Sequence, residues 1–217
     1  MGGRPTRARG RPVAAGLPRG ASADQIAWAT SQVHAIRADP HWRGGGYHDA
    51  GPGRGPHTGL GIARRVAHIT YRSAGELEAR FGHLAQEGER PWLGGRYGVE
   101  SYLDRQAAKL VRRFDAAGYV ALVDAMNTHG VGRGRGGTHA ALGRVRARTV
   151  VAGVDSDRLH PLVQQEELAD GIPGADRVRV IRSPHGRDGF LLGADQVAAL
   201  VRDVLDGTPH RAGRHAP

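Results

Sequence analysis

The chain has 217 residues, no cysteine and a formal net charge of +10, which is long enough for one domain with a real core. The lack of cysteine excludes a disulfide framework, a thiolate metal site and a cysteine nucleophile, and it fits the reducing cytoplasm. No run approaches the roughly 18 apolar residues of a membrane span, and no apolar stretch follows the basic N-terminus as in a signal peptide, so a soluble cytoplasmic protein is expected, with no membrane partner.

Residues 1–20 mix Gly, Pro and Arg without periodicity, a composition that cannot bury enough apolar surface to order itself, and a disordered basic N-terminus is expected there. Order begins at Ser22, which with Gln25 makes a capping box; Ile26, Ala29, Val33 and Ile36 follow at helical spacing as far as Pro40. After the Gly/Pro-rich stretch 43–60, Ile62, Val66 and Ile69 mark a second helix. Ser73 with Glu76 starts a third through Leu77, Phe81 and Leu84. Tyr102, Leu103, Gln106, Leu110, Val111 and Phe114 trace a fourth, and Asp115 caps a fifth carrying Tyr119, Leu122, Val123 and Met126.

The pattern changes near residue 148. Thr149 to Val154 reads as a buried strand, Gln164 to Asp170 as a helix stopped by Pro173 and Gly174, Val178 to Ile181 as a second strand, and Asp195 to Leu205 as a last helix. Strand, helix, strand, helix is the grammar of a parallel sheet. Two parallel strands do not make a stable sheet, so the other strands are expected to belong to residues absent from this chain, and exposed strand edges predict poor solubility or co-purification with a partner.

In open α/β sheets functional side chains gather in loops at the carboxyl ends of strands. Two loops qualify, Asp155 to Pro161 (DSDRLHP) and Ser183 to Phe190 (SPHGRDGF). An isolated Asp157 is most simply a turn or N-cap aspartate. The two loops together, however, in DSDRLHPLVQQEELAD followed by VRVIRSPHGRDGFLL, resemble the C-terminal signature of the homoserine O-acetyltransferase family. The resemblance extends upstream through SADQIAWATSQVHAIRADPHWRGGGY, GLGIARRVAHITYRS and VESYLDRQAAKLVRRFDAAGYVALVDAMNTHGVGRGRGG, covering nearly all of residues 21–206.

That resemblance implies an α/β fold: an incomplete α/β-hydrolase fold, with a helical lid and connector over 21–147, the last two strand-helix units of the core over 148–207, and a disordered tail at 208–217. It implies transfer of acetyl from acetyl-CoA, a co-substrate, to homoserine in methionine biosynthesis, with no bound cofactor. A Ser-His-Asp triad would do the chemistry, the histidine taking the proton of a weakly nucleophilic serine and the aspartate orienting that histidine. Carried over residue by residue, the triad acid falls on Asp157. The homoserine contacts fall on Arg64, for the carboxylate, and Asp188, for the ammonium. Dimer contacts through the lid make a homodimer, or association with an intact homologue, the expected assembly.

Two departures bear on activity. The family's base histidine precedes the second aspartate as Gly-His-Asp, and here Arg187 stands in that place; arginine stays charged near neutrality and cannot shuttle a proton. His185, two residues earlier, is the candidate substitute base. No serine has the G-x-S-x-G frame of a nucleophile elbow, so the chain is expected to be truncated and inactive alone.

The basic charge does not imply a nucleic-acid partner. Arg4, Arg7, Arg9, Arg11, Arg19, Arg211 and Arg214 lie at the two ends, and without them the net charge is +3; Arg133, Arg135, Arg144, Arg146 and Arg148 share one acid-free stretch, and the remainder sums to about −2. GRGRGG at 132–137 occurs once and without the interleaved aromatics of RNA-binding tails. The twelve histidines show no H-x-x-x-H or H-x-x-E-H frame on a helix, so no metal site is expected.

Overall fold

The computed structural model describes residues 13–15, 20–51 and 53–206. The tail expected at 208–217, and most of the N-terminal segment expected to be disordered, lie outside the described residues. Helices dominate the first part: α1 (Ala23–Arg37), α2 (His57–Tyr71), α3 (Ala74–Phe81), α4 (Gly98–Val111), α5 (Ala116–Thr128) and the short α6 (Thr138–Leu142). The capping box at Ser22 forms as read, with the Ser22 hydroxyl accepting from the Gln25 N–H and the Gln25 side chain accepting from the Ser22 N–H. Ser73 and Asp115 cap α3 and α5 by accepting from the Glu76 and Gly118 N–H groups, without a reciprocal side-chain bond.

These helices pack around Val33, Ile36, Tyr47, Leu60, Ala63, Leu110, Val120 and Val123. α1 and α2 cross at close range. A Cβ at Gly59 would stand 2.4 Å from the Ala35 carbonyl oxygen, so this crossing requires glycine. There the Gly59 N–H donates to the buried Asp39 carboxylate at 2.8 Å. Burial works to raise the Asp39 pKa, but hydrogen bonds from the Gly59 and His41 N–H groups outweigh it and hold the carboxyl below its usual value. The Tyr47 hydroxyl donates to Asp115 and accepts from the Ala117 N–H, tying the stretch between α1 and α2 to the start of α5.

The second part is a parallel sheet of β1 (Val13–Ala15), β2 (Val150–Val154) and β3 (Arg179–Ile181), in the order β1-β2-β3. It is followed and flanked by α7 (Leu162–Gly171), α8 (Gly189–Leu192) and α9 (Ala194–Asp206). β2 is buried along its whole length because both faces are covered, as a parallel sheet requires. Val151 packs with Leu142, Leu168, Ala169 and Ile172 on one side. Ala152, Val154 and Ile181 meet Val197 and Leu200 of α9 on the other.

The sequence reading found two strands, and the structure has a third. β1 pairs with β2 from Val13↔Val150 to Ala15↔Ala152, inside the segment expected to lack order. Strand pairing of this kind rests on main-chain hydrogen bonds, which leave no periodic signature in three residues flanked by Gly, Pro and Arg.

Candidate active site

The carboxyl ends of β2 and β3 bring the two motif loops side by side. The Asp155 N–H donates to the Ile181 carbonyl at 3.1 Å, and Asp155 Oδ1 accepts from the Ser183 N–H at 3.0 Å. Ser156 bridges the loops, its hydroxyl donating to the Ser183 carbonyl and accepting from the Gly186 N–H at 2.9 Å. Asp157 is 9% exposed. Its Oδ1 accepts from the backbone N–H groups of Leu159 and His160 at 2.8 and 2.9 Å. Pro161 is the N-cap of α7, so Asp157 fixes its own loop and does not cap the helix.

Around Asp157 stand two basic residues. Arg187 is half-buried in the short 3-10 turn Gly186–Asp188. Its guanidinium charge reaches His160, whose pKa is pushed down to about 4 by burial first and then by Arg187, with the Asp157 carboxylate opposing. His160 carries no motif of its own in DSDRLHP; the available signal is its place three residues after the acid. Gln25 Nε2 lies 2.7 Å from the Leu159 carbonyl, 2.9 Å from His160 Nδ1 and 3.0 Å from Gln164 Oε1, docking the start of α1 on this loop. The guanidinium of Arg158 also lies over the Trp28 ring of α1, 5.9 Å from its centroid.

His185 is turned elsewhere. Its Nδ1 lies 3.4 Å from Glu76 Oε1 of α3, and no hydrogen bond or ion pair joins it to Asp157 among the described residues. Asp188 belongs to the same cluster: Arg72, at the end of α2, reaches Asp188 Oδ2 at 3.2 Å and Glu76 Oε1 at 2.9 Å. The two layers are close-packed at this point. The Ser73 hydroxyl donates to the Pro184 carbonyl, and a Cβ at Gly186, which has φ +62, would sit 2.7 Å from the Ser73 nitrogen. Arg64 stands apart from both groups. Its guanidinium carbon lies 5.3 Å from the centroid of the Tyr71 ring, its Nε is buried without a hydrogen-bond partner, and no ion pair links it to Asp188 among the described residues.

The structure therefore brings Asp157, His160 and Arg187 into one neighbourhood and places Asp188, His185, Arg72 and Glu76 in a second. This arrangement fixes a carboxylate at the end of a central strand, which can orient and stabilise a cation. Among the described residues, no group of three or more His, Cys, Asp or Glu side chains is placed to hold a metal ion, and no described helix is long and apolar enough to cross a membrane.

Parallel strands covered by helices on both faces, a helical layer docked above their carboxyl ends and an acid in the loop after the central strand define an α/β-hydrolase-fold protein in part. Solved structures agree. Esterase E22 superposes with a TM-score of 0.78 at 16% identity, covering 90% of this chain and 54% of that one. Homoserine O-acetyltransferase from Bacillus anthracis does so with a TM-score of 0.77 at 20% identity, covering 90% and 53%.

Sequence similarity is more specific. The chain is 64% identical over 188 residues to the homoserine O-acetyltransferase of Thermobifida fusca, covering 87% of this chain and 49% of that protein. It is 55% identical over 185 residues to that of Nocardia farcinica, covering 85% and 48%. The chain is a homologue of the homoserine O-acetyltransferases and spans about half the length of the curated relatives it matches. No family model matches it.

Proposed function

We propose that this chain carries the acid-bearing part of a homoserine O-acetyltransferase-like acyltransferase, serving acetyl transfer from acetyl-CoA to homoserine in cytoplasmic methionine biosynthesis, and that it does not turn over by itself. Asp157 is the triad acid in this reading, and Arg64 and Asp188 are the homoserine contacts. The observation that carries it is the buried Asp157, anchored at the carboxyl end of the central strand, in a chain 64% identical to one such enzyme. Inactivity follows from position 187. A guanidinium occupies the place of the base, and His185, the candidate substitute, lies with its Nδ1 3.4 Å from Glu76 and is joined to Asp157 by no hydrogen bond or ion pair among the described residues.

The purified chain is to be incubated with acetyl-CoA and homoserine and free thiol followed. No release above the blank is expected. Release at the rate of an intact relative would refute the claim of inactivity.

A second reading, a non-catalytic chain that docks on an intact homologue through its helical layer, is favoured by apolar surface there. Trp92 is 78% exposed, and Leu84, Leu93, Leu122 and Met126 are exposed with it. Size-exclusion chromatography of the chain mixed with an intact homologue checks it: a joint peak supports the reading, and two separate peaks refute it.

A further inference from the structure

Where the end of α3 meets the start of α4 lies an open cavity of about 430 Å3, and no acid is among its lining residues. Phe81 and Tyr102 form its apolar surface, with ring centroids 5.1 Å apart. Guanidiniums stand around it from Arg80 on α3, Arg96 just before α4 and Arg105 on α4. Arg96 is matched by Glu89 and, at 3.6 Å, by Asp104, whereas among the described residues no ion pair reaches Arg80 or Arg105. Arg80 is held by stacking: its guanidinium carbon lies 4.5 Å from the Tyr102 centroid and 5.0 Å from that of Phe81, which leaves its N–H edge free. A further donor is left over on α4. Ser31 and Thr128 return their hydroxyls to carbonyls four residues back, but the hydroxyl of Ser101, a lining residue, is buried without a hydrogen-bond partner.

We propose that this cavity binds a small aliphatic dicarboxylate. Its volume falls in the range of roughly 300–1,000 Å3 usual for small-molecule sites, more than a single oxyanion fills. The unmatched cations come from two different helices with an apolar surface between them, so the complementary ligand has two anionic ends joined by an apolar spacer. A guanidinium fork meets a planar carboxylate through two parallel hydrogen bonds. Arg80 and Arg105 each take one carboxylate, the methylenes lie on Phe81 and Tyr102, and the Ser101 hydroxyl and the Gln86 amide donate to the remaining lone pairs. The site shares no residue with the acid loop or with the homoserine contacts assigned to Arg64 and Asp188, so it stands or falls apart from the acyl-transfer reading.

Isothermal titration of the full chain with succinate, acetate and inorganic phosphate tests the proposal. Saturable succinate binding with Kd below about 1 mM is expected, with acetate and phosphate weaker by about tenfold or more. Arg105→Gln changes an exposed side chain and should weaken succinate about tenfold. Arg80→Gln should do the same, which covers the case in which one of the two variants does not fold. Arg146→Gln, an exposed cation outside the cavity, should leave the affinity unchanged. Absence of saturable succinate binding overturns the proposal, as does acetate or phosphate binding equally well. Equal weakening by Arg146→Gln would assign the binding to the chain's general positive charge and overturn it too. Succinate displaced by acetyl-CoA would give the cavity to the co-substrate, and undiminished succinate binding in its presence supports a separate site.

Discussion

Gly59 and Gly61 lie two residues apart on α2, and replacing each with alanine should move stability in opposite directions. At Gly59 the added methyl would stand 2.4 Å from the Ala35 oxygen and 2.8 Å from the Ile36 Cα. Both are backbone atoms of α1, so the helices must separate by ~1 Å, an overpacking cost of about 1–3 kcal/mol. That movement also stretches the 2.8 Å bond from the Gly59 N–H to Asp39, whose side chain is 2% exposed; hydrogen bonds to charged groups contribute about 1.5–3 kcal/mol. Alanine returns about 1 kcal/mol of helix propensity, leaving a net loss of about 2–4 kcal/mol. For a chain of this size that lowers Tm by roughly 5–15 °C. At Gly61 the methyl meets Ala107 Cβ at 3.8 Å and Val111 Cγ2 at 3.9 Å, ordinary contacts, so Gly61→Ala should raise stability by about 0.5–1 kcal/mol. Thermal and urea melts followed by circular dichroism measure both. A Gly59→Ala protein that melts at or above the parent would refute the packing argument.

Acid should destabilise the chain in part through His68, whose pKa is lowered to about 4 by burial first and then by Arg64, Arg72 and Arg80. A folded-state pKa below the ordinary 6.5 favours the neutral ring. Its contribution is therefore present above about pH 6.5 and lost as pH falls toward 4, by at most about 3 kcal/mol. Urea midpoints measured at pH 7 and pH 4.5 should fall less in His68→Phe than in the parent, and equal falls would refute this. Arg72→Met should cost about 2 kcal/mol, because it leaves the half-buried Glu76 and Asp188 without their shared cation. Adding Asp188→Asn should recover part of that loss, whereas a double-mutant cycle with no coupling would show that the pair does not join the two layers.

Most of the helical part was legible because its signals are local. The Ser22 capping box and the aspartate cap at Asp115 set the starts of α1 and α5 where the sequence reading put them, and β2, β3, α7 and α9 lie within about two residues of their expected bounds. What failed was decided by tertiary contacts. Ile26 reads as part of the apolar face of α1 and is 37% exposed, while Gln25 is buried, because the start of α1 docks on the acid loop through the Gln25 amide. Ser73 caps α3, but the Glu76 carboxylate turns to Arg72 and does not return to the cap. In the candidate site, the place of Asp157 in the loop after β2 was legible from its motif. The orientation of His185 toward Glu76 was not, since it depends on α3 lying against a loop more than a hundred residues away.

The same geometry explains how a change at position 187 can leave its surroundings intact. Asp157 is held by two N–H groups of its own loop, and the neighbouring loop is held by Ser156 bonding to Ser183 and Gly186. Gly186 is pressed against the backbone of Arg72 and Ser73 in a positive-φ conformation that glycine accommodates without strain. None of these bonds uses the side chain of residue 187. In the proposed reading the scaffold around Asp157 therefore keeps its shape with a guanidinium at position 187, and that residue removes proton transfer without disturbing the two loops. A guanidinium in that place favours, through its fixed charge, an anion in front of the acid loop, where the resemblance places a hydroxyl awaiting deprotonation.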